Sequence, residues 1–353
     1  MSLFREDLAN LPSYVAGKPS TDPAIIKLSS NEMPFEPLPS IQAAITEGVG
    51  SLQEYPDMMA VKLRQRVAKF HGVDSDWVAV SNGSVNMIEK ILDAACEPGD
   101  EVVCAWRSFE SYPIATALAA ALTIKVPVTD LGEHDLDAMA EAVTDKTAAI
   151  IVCSPNNPTG TAVTHADLAR FLDRIDESIP VILDEAYIHF ARMEDRVRSD
   201  ELLAKHANLI VLRTFSKAYS LAGLRVGYAL AHPATAETLR TVGTPFGVNA
   251  LAQRAAIAAL DATDKVVART DDVVAERERV IAELADLGFA IPRSQANFMW
   301  FEMTNVEPFL AAAERHRIVV RAFVGDGVRV SIGTPEANDR IIAAAAEYAK
   351  SLR

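Results

Sequence analysis

From about Asp76 to Ala231 the chain alternates short apolar runs with stretches of helical texture. WVAV (77–80) precedes a glycine turn, Ser81-Asn82-Gly83-Ser84, and then a helix through MIEKILDAA. EVVCAW, TIKVPV, AAIIVC, PVILDEAY, NLIVLRTF and RVGYALA read as further strands, rich in β-branched residues. YPIATALAAAL, DLDAMAEAV and THADLARFLDRI read as the helices between them, with Thr164 and Asp167 at capping-box spacing. Such alternation predicts an α/β fold, a mostly parallel sheet sandwiched by helices. Beyond about Ala250 the texture changes. A charged helix (Thr270–Leu287) is followed by the apolar runs NFMWFEM, RIVVRAF and GVRVSIG and by a closing helix, ANDRIIAAAAEYAKSL. These predict a smaller α+β C-terminal lobe. The expected division is a large domain over residues 31–248 and a small one from residues 1–30 and 249–353, because the N-terminal stretch lacks a core of its own.

Composition narrows the partners. The 353 residues carry a formal net charge of −14, which argues against a nucleic-acid partner. Cys96, Cys104 and Cys153 are scattered and read as small buried hydrophobes in a reducing cytosol. The start has no apolar signal core, and no run is long enough to span a bilayer, so a cytoplasmic location is expected. The seven histidines show no ligand spacing, so no metal site is expected.

In a parallel sheet, ligands bind beyond the carboxyl ends of the strands. Four post-strand loops there carry unusual polar groups. After Ser81-Asn82, the amides from Gly83 through Ser84 to Val85 open a helix whose positive end suits an anion. SPNNPTG (154–160) is stiffened by two prolines, is expected to carry at least one cis bond, and can hold the Asn157 amide at a fixed point. Asp184-Glu185-Ala186-Tyr187 follows an apolar strand, where an acid is costly unless it meets a cation. Thr214-Phe215-Ser216-Lys217 places a lysine in a small, apolar segment. Desolvation there lowers the amine's pKa and makes it a nucleophile toward carbonyls, while Thr214, Ser216 and Arg225 can converge on a phosphate. Singly, each feature suits an ordinary turn or a surface lysine. Their joint occurrence in this order is not explained that way.

The runs SPNNPTG, DEAY and TFSKAYSLAGLRVGY resemble fold-type I pyridoxal-phosphate aminotransferases of the histidinol-phosphate and aromatic branch. LPSYVAGKP, SSNEMPFEP, EYPD and RVSIGTPE extend the resemblance over essentially the whole chain. It implies pyridoxal 5'-phosphate as cofactor, held covalently by Lys217, with Asp184 on the pyridine nitrogen and Tyr187 and Asn157 on the phenolic oxygen. Phe109 would stack on the ring. Gly83, Ser84, Thr214, Ser216 and Arg225 would hold the phosphate, joined by Tyr55 from a second subunit of a homodimer. Arg329 would clamp the substrate carboxylate, with Asn31 assisting. Val85-Asn86 replaces the family's usual acidic pair, and Met33 a usual asparagine.

Transamination passes an amine from an amino acid to a keto acid at one site, so both must fit one pocket. Tyr14, Phe35, Phe109, Tyr187, Phe246 and Phe323 are candidate linings. Arg321 is expected to meet either a substrate phosphate or the side-chain carboxylate of glutamate. The resemblance favours aromatic amino acids as donors and 2-oxoglutarate as acceptor, with histidinol phosphate as the alternative donor. A lyase or decarboxylase on the same fold is disfavoured by Arg329. A cofactor-binding transcription regulator is disfavoured by the lack of a basic DNA-binding module.

Overall fold

The computed structural model describes residues 24–352 together with Leu3, Leu8, Leu11 and Asp22. Twelve strands occur among them: β1 (Ile26–Lys27), β2 (Val78–Ser81), β3 (Glu101–Trp106), β4 (Leu122–Pro127), β5 (Thr147–Cys153), β6 (Val181–Asp184), β7 (Leu209–Thr214), β8 (Gly227–Leu230), β9 (Phe298–Glu302), β10 (Ile318–Val319), β11 (Arg321–Phe323) and β12 (Gly327–Ser331). Seven of these form the central sheet in the order β2-β8-β7-β6-β5-β3-β4. Its strands run parallel except β8, which is antiparallel to both β2 and β7.

The near-continuous apolar runs of these strands have a direct cause: both faces of the sheet are covered. Val103, Ile150, Val152, Val181, Leu183, Leu209 and Val211 join one apolar cluster, and Val102, Cys104, Ile151, Cys153, Ile182, Ile210 and Leu212 join the other. Neighbouring residues on one strand thus point into different cores, as the two-residue period of a strand requires.

That period also separates the two acids at the end of β6. Asp184 lies on the face of Ile182. Glu185, one residue on, meets Arg213 on the other face at 2.8 Å, with Ser199 Oγ at 3.2 Å. Burial works against the Arg213 charge, but Glu185 beside it holds its pKa above the ordinary value.

Most expected elements appear where the hydrophobic pattern put them. The Thr164 hydroxyl accepts the Asp167 amide at 3.0 Å and caps its helix as the spacing implied. Two expectations need correction. The run RIVVRAF does not make one strand: β10 pairs in parallel with β1, whereas β11 pairs with β12 in a three-stranded sheet of order β11-β12-β9. Val320 stands between two sheets with different partners, which a hydrophobicity pattern cannot reveal. The charged helix begins earlier than expected and spans Thr263–Asp286. It carries Arg277, fully buried, whose Nη1 donates to the carbonyls of Phe190 at 3.1 Å and Ala296 at 3.0 Å. The β1–β10 pairing ties the chain near residue 26 to its C-terminal part. Tyr14 and most of residues 1–23 lie outside the described residues.

Replacing Arg213 by Leu leaves the Glu185 carboxylate buried and uncompensated, and is expected to cost about 3–5 kcal/mol of stability. Changing both residues to leucine is expected to recover most of that loss. Urea denaturation of the single and double variants checks this; equal midpoints for the two would contradict it.

Candidate active site

The carboxyl ends of the parallel strands are level: Cys153 pairs with Asp184, and Asp184 with Leu212. The loops after β5, β6 and β7 therefore leave the sheet side by side, and Ser81 at the end of β2 is level with Thr214 across Gly227 of β8. They surround a cavity of about 530 Å³ that Ser84, Phe109, Asn157, Asp184, Tyr187, Thr214, Ser216, Lys217, Arg225, Arg321 and Arg329 help to line.

Asp184 is buried beneath this cavity. Its Oδ2 accepts from the Tyr112 hydroxyl at 2.8 Å and its Oδ1 from the Ala186 amide at 3.1 Å. Burial pushes its pKa up against the pull of these two bonds. A carboxylate held so, at the wall of a cavity, is suited to a cationic ligand atom. Lys217 faces the same space. Its Nζ donates to the Ser30 carbonyl at 3.1 Å and lies 5.4 Å from the centre of the Tyr187 ring. Burial first, and then the Arg329 and Arg225 charges, bring its pKa down to about 7. A large share of the amine is therefore neutral and nucleophilic at neutral pH.

One end of the cavity is an anion cradle. The helix Ser84–Ala95 points its N-terminus there, with Gly83 as its cap at φ +88° and no capping side chain. The Gly83 amide turns back to the Ser81 carbonyl at 2.8 Å. The amides that helix geometry leaves open are thus those of Ser84, Val85 and Asn86, and the role of Gly83 is steric. A Cβ at Gly83 would stand 2.7 Å from the Arg225 guanidinium, and one at Gly227 would stand 2.9 Å from the Ser84 nitrogen. Arg225 Nη1 donates to Ser216 Oγ at 3.2 Å, and Ser216 Oγ accepts from Thr214 Oγ1 at 3.0 Å. A helix N-terminus, two hydroxyls and a guanidinium offer donors and charge suited to an anion.

The opposite wall comes from the three-stranded sheet. Arg329 is held by Asn157 Oδ1 at 2.5 Å and by the Ser29 carbonyl at 2.6 Å. Because the arginine takes Asn157 Oδ1, the Asn157 Nδ2 is the end left to donate into the cavity. Asn31, at φ +55°, donates through Nδ2 to the Tyr187 hydroxyl at 3.0 Å. Its backbone is fixed by Ser331 Oγ, which accepts its amide at 2.8 Å, and by Asn297, which donates to its carbonyl at 3.1 Å. Asn31 therefore steers Tyr187. Burial pushes the Tyr187 phenol pKa above its ordinary value.

Phe109 lines the cavity and meets Tyr112 edge-on, ring centres 5.5 Å apart. Arg321 sits across the sheet from Arg329 and is paired with Glu110 at 2.5 Å. Tyr55 is not among the cavity's lining: it is 82% exposed and packs on Phe246 at 4.7 Å. Sequence reasoning missed Tyr112, Glu110, Ser331 and Asn297. Tyr112 could have been suspected, since it follows Phe109 at helical spacing; the others act across long stretches of chain and gave no local signal. Both prolyl bonds of the SPNNPTG loop, Ser154–Pro155 and Asn157–Pro158, are cis. Among the described residues, no group of three His, Cys, Asp or Glu is placed to hold a metal ion, and no helix is long and apolar enough to cross a membrane.

Residues 23–345 match the family model described as aminotransferase class I and II. An aromatic amino acid aminotransferase of Streptomyces avermitilis is 46% identical over 352 residues, covering 99% of this chain and 98% of that protein. One of the same name from Mycobacterium bovis is 48% identical over 342 residues, 96% of each. Among solved structures, the histidinol-phosphate aminotransferase of Sinorhizobium meliloti in complex with pyridoxal-5'-phosphate superposes with a TM-score of 0.88 at 27% identity, covering 100% of this chain and 99% of that one.

Lys217 is expected to be the lysine most readily trapped at neutral pH by a small aldehyde and cyanoborohydride. Its labelling should fall as pH drops through about 7. Peptide mapping checks this. Arg329→Gln removes one of the charges that lower the amine's pKa, so it should move the midpoint upward; labelling with an ordinary lysine midpoint would contradict the buried-amine geometry.

Proposed function

Since the chain belongs to the class I and II aminotransferases, we propose that it moves an amino group from aromatic amino acids to a keto acid, with 2-oxoglutarate as acceptor and pyridoxal 5'-phosphate as cofactor. One observation carries this reading: the low-pKa Lys217 amine, the buried Asp184 carboxylate and an anion cradle share one cavity. The donor set fits the cofactor, since it offers an amine for an aldehyde, an acid for a pyridinium and a cradle for a phosphate. When bound, the cofactor supplies an electron-withdrawing ring conjugated to the substrate nitrogen.

The remaining work belongs to this chain's residues. Lys217 Nζ would accept the proton that leaves the substrate Cα and later give it up to the carbon that carried the cofactor's aldehyde, which restores the amine; the role suits an amine with a pKa of about 7. Asp184, held by Tyr112 and Ala186, keeps the ring nitrogen protonated. Tyr187 and Asn157 Nδ2 would donate to the cofactor's phenolic oxygen, and Phe109 would lie against its ring. The amides of Ser84 to Asn86, with Thr214, Ser216 and Arg225, hold the phosphate. Arg329 grips the substrate α-carboxylate through its guanidinium fork. Since Arg329 also holds Asn157, substrate grip and cofactor grip share one hydrogen bond.

The active unit in this reading is a homodimer in which Tyr55 completes the partner's phosphate site. Support comes from the exposure of Leu52, Tyr55, Met58, Met59, Val61 and Phe246, an unusual number of bare apolar side chains. A large residue domain over 31–248 and a small one from the remainder belong to the same proposal, as does a cytoplasmic location, supported by the free cysteines Cys96, Cys104 and Cys153.

Histidinol phosphate is the competing donor, favoured by the name of the Sinorhizobium relative and by the presence of Arg321 in the cavity. Adding phenylalanine to the cofactor-loaded enzyme without keto acid is expected to discharge its long-wavelength absorption at lower concentration than histidinol phosphate does. The reverse ranking would assign the chain to the second substrate. Lys217→Ala should abolish turnover. Arg329→Ala should raise the KM for phenylalanine by about 10- to 100-fold, the worth of hydrogen bonds to a charged group.

A further inference from the structure

Arg321 and Arg329 are direct cross-strand partners on β11 and β12, and both line the cavity. Two guanidiniums side by side repel each other and attract anions. A pocket with two free cations would suit a dianion or a dicarboxylate and would reject an uncharged ring. Arg329 rests on the neutral oxygens of Asn157 and Ser29. Arg321 is met by a full carboxylate, Glu110, at 2.5 Å.

Glu110 comes from another part of the fold. It stands at the N-cap of the helix Ser111–Leu118, just after β3, and its carboxylate meets Arg321. Its second oxygen lies 3.9 Å from Arg107 Nη2, and Arg107 Nε lies 3.0 Å from Asp326 Oδ2. The Phe323 ring sits among these cations, 5.1 Å from Arg321 and 5.0 Å from Arg107. The Glu110 side chain keeps a quarter of its exposure, so one side of it faces solvent.

We propose that Glu110 determines side-chain specificity: it neutralises Arg321 when an aromatic ring occupies the distal pocket, and yields Arg321 to a substrate carboxylate by shifting toward Arg107. This rests on the aminotransferase reading above and deepens it. With Glu110 in place, the distal end of the pocket is close to electrically neutral and accepts an apolar ring. A monoanionic carboxylate can exchange with Glu110, which then shares Arg107 with Asp326. Glu110 stays close to either anion after its shift toward Arg107, and it repels a phosphate dianion more strongly than a monoanionic carboxylate, so the phosphate is disfavoured. One pocket thereby alternates between an aromatic donor and a dicarboxylic acceptor.

The test is Glu110→Gln in the cofactor-loaded full-length enzyme, with kcat/KM measured for phenylalanine and for histidinol phosphate. The expected result is a fall of roughly tenfold for phenylalanine and a rise of roughly tenfold for histidinol phosphate, the scale of placing or removing a like charge at a contact. Glu110→Asp, which keeps the charge, should restore much of the original ratio. An equal change for both donors would mean that Glu110 only supports the fold, and would overturn the proposal. Arg107→Gln gives a second reading should Glu110→Gln not fold: it should raise the KM for 2-oxoglutarate more than that for phenylalanine, and an equal effect on both would overturn the exchange. The wild-type rate with phenylalanine separates the two levels. Absence of any turnover refutes the function itself, whereas turnover with unchanged selectivity in Glu110→Gln refutes only the role of Glu110.

Discussion

A carboxylate buried at the end of a central strand is costly unless something cationic meets it. Asp184 is such a group, and much of the site can be understood as the arrangement that keeps it useful. Tyr112 and the Ala186 amide fix its two oxygens without neutralising it. Its neighbour Glu185 cannot share the burden, because the strand's alternation sends it to Arg213 on the other face. One acid is thereby paired with an arginine within the fold, and the other is left at the wall of the cavity. The level ends of β5, β6 and β7 then bring the remaining loops to the same edge.

Electrostatics within the cavity run against those of the whole molecule. The chain carries a net charge of −14, yet Lys217, Arg225, Arg321 and Arg329 crowd one concave surface. Their repulsion has a chemical use, since the Arg329 and Arg225 charges add to burial, the larger cause, in lowering the Lys217 pKa. The same field draws in carboxylates and phosphates. Neutral oxygens, a counter-acid and an aromatic ring moderate it at different points.

The sequence disclosed the residues that lie just past strand ends, because the position itself is informative there. Asp184, Asn157, Lys217 and the Ser84 turn are all of this kind, and the family resemblance added Arg329 and Phe109. It did not disclose groups whose importance arises only from tertiary proximity. Tyr112 is 72 residues from Asp184, and Glu110 is 211 from Arg321. Nor could composition tell that the Gly83 amide is used within its own turn, or that Val320 separates strands of two sheets. Hydrophobic patterning reports burial, and both halves of RIVVRAF are largely buried; it does not report which strand lies alongside.

Arg277 carries a mechanical consequence. Its guanidinium grips the Phe190 carbonyl, three residues beyond Tyr187, and the Ala296 carbonyl, two residues before β9. It thus joins the segment leaving the central sheet to the segment entering the three-stranded one. Carbonyl acceptors do not titrate, so this joint does not loosen as acids gain or lose protons. It sets the spacing between the segment that follows Tyr187 and the strand that leads into the sheet carrying Arg321 and Arg329.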